Sequence, residues 1–333
     1  MKRTLSTMPS PFTGGKVYIV EDIEKHEFRK EMYEVHVRYY MCKDTGEKFT
    51  DTTQDELLLN ELYNQYRTKH GIPFPDEIKK IRLNYGLNYK QISTIAGFGQ
   101  NQWKNYENGD VPSESNAKMI IALSDKESIL RLLETSKNEF TEDDYNKTRA
   151  SILCCSEKES SYKTFLYFGN QTRDYYNGYS ELNPQKMEDT VRFFISKEGK
   201  GIFKTKLNKC LFYADMINYR RCGHSITGAR YRAIQHGPVP EHYDTIYDNI
   251  EGVYKVIDVC NEREYETLHT NITHTASLSN EELKVLNEVS SKLHDKTTTE
   301  VVELSHLEEA WLKHNEKHEL IPYSDAFSIK AFD

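Results

Sequence analysis

The chain has 333 residues, of which 37% are hydrophobic and 29% charged, enough for two or three domains that each bury a core. A net charge of -8 excludes a protein that coats nucleic acid indiscriminately, because neutralising phosphates takes an excess of Lys and Arg. No apolar run approaches the roughly 18 residues of a membrane span, and no apolar segment follows the basic residues at the start. Six cysteines without a CxxC pair suit a reducing compartment. These features predict a cytoplasmic protein with no membrane partner, no metal and no other cofactor.

The first elements along the chain are predicted to be β-strands. Within residues 16–42 apolar and polar side chains alternate, which is typical of strands with one buried face and one face in water. The residues predicted to be buried are Tyr33, Val35, Val37 and Tyr39, and those predicted to face water are Glu34, His36, Arg38 and Tyr40. We expect a small β domain over residues 1–52.

Helices are predicted for most of the remaining chain. An acidic first turn and spaced apolar residues predict a connecting helix over residues 53–72, and a group of helices follows over residues 73–140. Residues 141–186 are polar and punctuated by Gly, Asn and Pro, which favours a linker or an irregular connection. A second, largely helical domain is expected over residues 187–333. The predicted fold class is therefore α+β, with most of the chain helical.

A local excess of positive charge lies in the first group of helices. Between Glu77 and Glu107 the chain has five basic residues and no acid. Basic side chains neutralise phosphate, so this interval is the candidate for contact with nucleic acid in an otherwise acidic protein.

The same interval contains the pattern of two short helices joined by a turn, LNYKQISTIAGFGQNQWKNYENG (residues 87–109). Asn88 is predicted to cap the first helix, Gly97 to permit the turn, and a second helix to start after the GFG turn. Trp103 and Tyr106 are three residues apart and are predicted to face inward. The neighbouring amide side chains then project outward, where Gln and Asn can hold adenine through two hydrogen bonds.

These 23 residues resemble, without a gap, the helix-turn-helix of phage-repressor-like (XRE/Cro) regulators, down to the closing YENG. The resemblance implies DNA binding, with base contacts from Gln100, Asn101 and Asn105 and contacts near the DNA backbone from Gln102, Lys104 and Asn108. Lys90 would lie where the first helix crosses the backbone. Tyr89 departs from the family, which often has Gln at that position. The alternative, from composition alone, is a helical hairpin with a solvated polar face.

Two glycine turns near the start, SPFTGG (residues 10–15) and CKDTGE (residues 42–47), resemble the knuckles of a zinc-binding domain. Three expected thiolates are replaced in this resemblance, by Ser10, Thr13 and Thr45, and only Cys42 remains. Hydroxyl groups cannot substitute for thiolates in a closed zinc site, so no zinc is predicted. The alternative is a pair of unrelated glycine turns.

A knuckle domain, a linking helix and a helix-turn-helix follow one another in MqsA-type antitoxins, which the first 140 residues resemble. In that family the linked domain dimerises and binds a two-fold operator.

The C-terminal block contains many His residues but no HExxH, GxSxG or P-loop, and it is not predicted to be an enzyme. The segments KLNKCLFY, YRAIQHGPV and LSHLEEAW resemble the Panacea domain of SocA-like antitoxins, over about residues 187–330. That resemblance implies neutralisation of a protein toxin. The candidate toxin contacts in these segments are Lys206, Lys209, Tyr213, Tyr231 and His236. The neighbouring variable surface is the alternative location for them.

These features together predict a type II antitoxin that neutralises a cognate protein toxin and represses its own operon by binding operator DNA. A homodimer is expected, because one recognition helix reads only half of a two-fold site. The alternative is a transcriptional regulator whose C-terminal domain senses a ligand or a partner. A third hypothesis, from another class, is an enzyme that uses His236 with a nearby acid.

Overall fold

The computed structural model describes residues 2–154, 161–260 and 263–332. The protein is of mixed class, with 49% of its residues in helices and 17% in strands, as the sequence predicted. The chain divides into two compact units, one formed by Met1–Leu62 together with Ser160–Asp333 and one by Tyr63–Glu159.

The N-terminal part of the first unit is an antiparallel sheet of four strands in sequence order. Its strands are β1 (Lys2–Ser6), β2 (Val17–Phe28), β3 (Glu31–Cys42) and β4 (Lys48–Phe49). The predicted buried face of β3 is confirmed, because Tyr33, Val35, Val37 and Tyr39 are each at most 7% exposed. Strands β2 and β3, of twelve residues each, form a hairpin longer than the sequence pattern indicated.

The prediction that the second face of β3 lies in water is wrong for most of its length. His36 is only partly exposed, and its ring stacks on the ring of Phe327 with centroids 4.3 Å apart. The hydroxyl of Tyr219 donates to the carboxylate of Glu61, which also lies beside His36. This face packs on the C-terminal part of the same unit, and alternation along one strand carries no information about such a distant partner.

The second unit is helical. The helix α1 (Thr52–His70) contributes its residues from Tyr63 onward to this unit, and the helices α2 to α7 complete it. These are α2 (Pro75–Asn84), α3 (Tyr89–Ile95), α4 (Gln102–Glu107), α5 (Glu114–Ala122), α6 (Lys126–Thr135) and α7 (Glu142–Cys154). Their buried side chains form one apolar cluster that includes Ile78, Ile92, Trp103, Ile120 and Ile129.

The stretch predicted to be an irregular linker is largely helical instead. The helix α7 buries Tyr145, Thr148 and Ile152, of which Tyr145 and Ile152 belong to the core of the second unit. These residues follow the i, i+3, i+7 spacing of one narrow helical face. The rest of α7 is polar and exposed, so its average composition hid a packed helix.

The C-terminal part of the first unit is built from helices and two small sheets. Its helices are α8 (Ser161–Phe168), α9 (Pro184–Lys197), α10 (Lys204–Cys222), α11 (Tyr243–Asp248), α12 (Asn280–Leu293), α13 (Thr298–His306) and α14 (Glu309–Leu312). Its strands are β5 (Tyr231–Ile234), β6 (Gly237–Pro240), β7 (Val253–Cys260), β8 (Arg263–Thr270) and β9 (Leu320–Ile321). One sheet has the order β6-β5-β9, and β7 pairs with β8 as a hairpin.

The helix α10 lies at the centre of this region, and every residue from Lys206 to Arg220 is buried. Its polar residues are buried because other elements supply hydrogen-bond partners, as buried polar groups require. Among the described residues, no helix is long and apolar enough to cross a bilayer.

Candidate functional site

The first candidate site is the pair of helices α3 and α4 in the second unit. Asn88 caps α3 as predicted: its side chain accepts a 2.9 Å hydrogen bond from the Gln91 amide, and the Gln91 side chain accepts one from the Asn88 amide. This reciprocal capping fixes where the helix begins. Gly97 follows α3 with φ +66°, a conformation that Gly adopts without steric cost.

The start of α4 differs from the sequence expectation. The helix begins at Gln102, so Gln100 lies in the preceding turn and Asn101 is the N-cap residue. The side chain of Asn101 makes no capping hydrogen bond. Its amide group is therefore not engaged at the helix terminus, although Asn is among the residues that usually cap one.

Two aromatic side chains hold α4 against the core, as the spacing predicted. Trp103 is 0% and Tyr106 is 4% exposed. The ring of Phe98, from the turn, lies 6.1 Å from the ring of Trp103 and 5.9 Å from the ring of Tyr106. The Tyr106 hydroxyl accepts a 2.7 Å hydrogen bond from the side chain of Asn116. The two aromatic rings of α4 are thus packed in the core, and the Tyr106 hydroxyl has a hydrogen-bond partner.

A buried ion pair, which the sequence reasoning missed, fixes the orientation of α4. Glu107 accepts from Arg82 through both carboxylate oxygens, at 2.6 and 2.8 Å, and from the indole nitrogen of Trp103 at 2.8 Å. Arg82 also donates to the carbonyl of Leu87 at 3.1 Å. The Glu107 hydrogen bond raises the pKa of Arg82 further. Arg82 is one of the five basic residues between Glu77 and Glu107, but its side chain serves this internal pair.

The predicted DNA-contacting side chains lie at the surface of this unit. Six of them are exposed, namely Lys90, Gln100, Asn101, Lys104, Asn105 and Asn108, and Gln102 is partly exposed. Within the described part of the chain, none of these seven side chains has a hydrogen-bond or ion-pair partner. Their donors and acceptors are therefore available to a ligand.

The two glycine turns of the N-terminal sheet lie together. The hydroxyl of Thr13 is 3.5 Å from the sulfur of Cys42 and donates to Asp44 at 2.9 Å. Ser10 is 4% exposed, and the hydroxyls of Ser10 and Thr45 also lie within hydrogen-bonding reach of the Cys42 thiol. The structure thus brings together the four positions of the resemblance to zinc knuckles. Three of them carry hydroxyl groups that are poor ligands for zinc.

In the C-terminal region, four of the five predicted toxin contacts are buried. The ammonium of Lys206 is 2.8 Å from Glu198 and donates to the carbonyl of His294 at 3.0 Å. Lys209 is 0% exposed and donates to the carbonyl of Pro238 at 3.1 Å. Burial lowers the pKa of Lys209 to about 7. These two side chains make their contacts inside the domain.

The two predicted tyrosine contacts are likewise internal. The hydroxyl of Tyr213 lies 3.4 Å from a carboxylate oxygen of Glu308, and that of Tyr231 donates to Asp215 at 2.7 Å. Asp215 also accepts from the backbone amides of Ile226 and Thr227, at 2.7 and 2.9 Å. Burial raises the pKa of Asp215 despite these hydrogen bonds. The Asp215 carboxylate thus connects the loop after α10 to the strand β5 through hydrogen bonds.

The motif segments YRAIQHGPV and LSHLEEAW meet in the structure. The indole nitrogen of Trp311 donates to the carbonyl of Ile234 at 2.9 Å, and its ring stacks on His306 with centroids 3.9 Å apart. A Cβ on Gly237 would lie 2.5 Å from the Ser305 hydroxyl and 2.6 Å from Cε of Lys209. This turn is therefore locked between α10 and α13.

Of the predicted contacts, only His236 is exposed, at the tip of the locked turn. Nearby, the pKa of His306 is lowered, first by burial and then by the proximity of Lys209. The motif segments thus form a rigid structural centre that presents one His to solvent. The enzyme hypothesis places a nearby acid beside His236, yet no described residue forms an ion pair with it.

Residues 207–312, from α10 to α14, match the model of a family described as antitoxin SocA-like, Panacea domain. The match supports the resemblance of the C-terminal part and indicates an antitoxin-type role. It does not reach the first 140 residues, whose likeness to MqsA-type antitoxins stays a prediction, as does the likeness of residues 87–109 to XRE regulators. Comparison with curated proteins and with solved structures found no match.

Proposed function

We propose that the protein is an antitoxin that neutralises a cognate protein toxin through its C-terminal domain and represses its own operon through α3 and α4. The single observation that carries the toxin-neutralising part is the match of residues 207–312 to the Panacea family. The DNA-binding part is supported by the exposed amide side chains on α4. The proposed role requires no catalysed step.

Operator binding is supported by how the residues of α4 are divided. Internal contacts engage the side chains of Trp103, Tyr106 and Glu107. The side chains of Asn101 and Asn105 are exposed to solvent. Asn side chains can bond adenine at two points in the major groove, and Lys104 is suited to phosphate. A homodimer would present two such helices to the halves of a two-fold operator.

The proposed domain arrangement assigns DNA binding to residues 73–140 and toxin neutralisation to residues 187–333, after an N-terminal β domain and the helix α1. The segments KLNKCLFY, YRAIQHGPV and LSHLEEAW, which pack around Lys209, then stabilise the fold of the toxin-binding domain. Its contact surface lies elsewhere, apart from His236 at the tip of the turn.

The neutralisation part is tested by expressing the product of the adjacent gene under a tight promoter, with and without this protein. We expect growth arrest without it and growth with it, and the two proteins should co-purify. A neighbouring gene that is harmless to growth would contradict the antitoxin proposal and favour a regulator that senses a ligand or another partner.

The DNA-binding part is tested separately by gel-shift titration of the operon's own upstream region. We expect Asn105→Ala to weaken specific binding by about 1–3 kcal/mol and to relax sequence preference. Lys104→Ala should weaken specific and nonspecific binding alike. It should also reduce the slope of log K against log salt concentration by about one, the value for one lost phosphate contact. Unchanged titrations for both variants would exclude α4 as the reading helix.

A further inference from the structure

The β7–β8 hairpin offers an unprotected strand edge. Among the described residues, β7 pairs only with β8, and β8 continues on its other side to Ile202 through a bridge at Leu268. No described residue outside the hairpin bonds to the backbone of residues 254–259. An edge strand of eight residues is a ready template for pairing with another chain, and natural proteins normally protect such edges.

The side chains of β7 make this edge apolar as well as open. Ile257 is 63% and Val259 is 69% exposed. They share one face of the hairpin, because residues two apart on a strand point the same way. At the base of the hairpin, Thr267 and Leu268 are 4% and 1% exposed. Ile257 and Val259 therefore stand clear of the domain, although a two-stranded hairpin by itself is only marginally stable.

The charge around this arm, residues 253–270, is acidic. Lys204 is paired with Asp244 at 2.8 Å and with Glu266 at 3.4 Å. Lys255 is paired with Asp248 at 2.7 Å. Asp258 and Glu264 have no ion-pair partner among the described side chains. Glu264 lies directly opposite Val259 in the strand register, and residues 253–270 include four acidic and two basic residues, so negative charge borders the apolar face.

We propose that the open edge of β7 is the docking strand for a basic partner protein, which adds a strand beside β7 and covers Ile257 and Val259. Strand addition gives affinity through backbone hydrogen bonds, and the alternate side chains give specificity. Complementary charge steers the encounter and disfavours a second copy of this acidic arm. The inference rests on the proposed function in one respect, since it takes the toxin to be that partner.

The test uses the full-length protein, the product of the adjacent gene as probe, and two double variants. I257K/V259K removes the apolar face and adds two positive charges to the arm. L307K/L312K is the matched control, because Leu307 and Leu312 are exposed to a similar degree, 66% and 51%, outside the arm. Thermal unfolding verifies that both variants are folded. Kd is measured by titration, and protection of growth is measured in parallel.

We expect I257K/V259K to weaken binding by at least about 100-fold and to abolish protection, while L307K/L312K behaves as the wild type. Hydrogen exchange should show new protection of the amides of residues 254–259 in the complex. D258K/E264K should lower the association rate and its dependence on salt, with a smaller effect on dissociation.

Each contrary result has one meaning. A wild-type protein that does not bind the adjacent gene product overturns the proposed function and this inference together. If I257K/V259K still binds the toxin and protects growth, the proposal that β7 is the docking strand is wrong. The proposed function is not affected by that result. A wild-type dimer that I257K/V259K converts to a monomer assigns the edge to a second copy and also overturns the proposal.

Discussion

The helices α4 and α10 both carry many polar side chains, but they use them in opposite ways. On α4 the polar residues Asn101, Lys104 and Asn105 are exposed and have no partner among the described residues. On α10 the polar residues from Lys206 to Arg220 are all buried. Polar composition alone therefore does not separate a binding surface from a structural helix.

The difference follows from what surrounds each helix. The helix α4 meets the core of its unit along one side, through Trp103 and Tyr106. The helix α10 is surrounded by other helices and by the sheet β6-β5-β9, and burying its polar groups without partners would cost several kcal/mol for each charged group. Five substitutions test this contrast, in order of decreasing effect on folding stability.

The largest effect is expected for Asp215→Ala on α10. The change leaves the Tyr231 hydroxyl and the amides of Ile226 and Thr227 buried without their acceptor. We expect a loss of about 3–5 kcal/mol in the free energy of unfolding, the range found when one partner of a buried charged network is removed. Urea unfolding monitored by circular dichroism measures it. A loss below about 1 kcal/mol would mean that the loop has other support.

A smaller loss is expected for Gly237→Ala in the locked turn. Gly237 has φ +90°, and the added Cβ would meet Ser305 and Lys209. A residue forced into this backbone region costs about 1–3 kcal/mol. The same unfolding measurement applies, with Gly199→Ala as the control, because no atom lies within 4 Å of the Cβ position there.

Lys209 predicts a dependence of stability on pH. Burial lowers its pKa from 10.5 to about 7, so the folded protein releases this proton near neutral pH while the unfolded chain keeps it. Unfolding then takes up one proton, and stability rises with pH between these two values, by about 1.4 kcal/mol per pH unit. Lys209→Met should remove this slope. Unfolding of both proteins at pH 7, 8 and 9 measures it, and parallel curves would contradict the assignment.

The smallest effect on stability is expected for Asn101→Ala and Asn105→Ala. Both side chains are exposed and make no internal hydrogen bond in the described structure, so the free energy of unfolding should change by less than about 0.5 kcal/mol. If either variant also loses operator affinity, its side chain supports binding and not stability, whereas Asp215 supports stability. A stability loss above about 1 kcal/mol would show that these amides support the fold.

The sequence predicted much of the second unit because its signals are local. Asn88 and Gln91 cap α3 within one turn, and Trp103 and Tyr106 mark the inner side of α4 by their spacing. The pairing of Arg82 with Glu107 joins residues 25 positions apart, and no local pattern indicates it. The identity of α7 was missed because only three of its residues form the buried face.

The sequence by itself determined the mixed fold class, the cap of α3, which side of α4 and β3 is apolar, and which segments resemble an antitoxin domain. Only the tertiary structure decided that the second face of β3 is covered, that four predicted toxin contacts are internal, and that an apolar strand edge is left open. The physical reason is distance along the chain. Tyr213 meets Glu308 and Tyr219 meets Glu61 across 95 and 158 residues, and whether a polar side chain is buried depends on such partners.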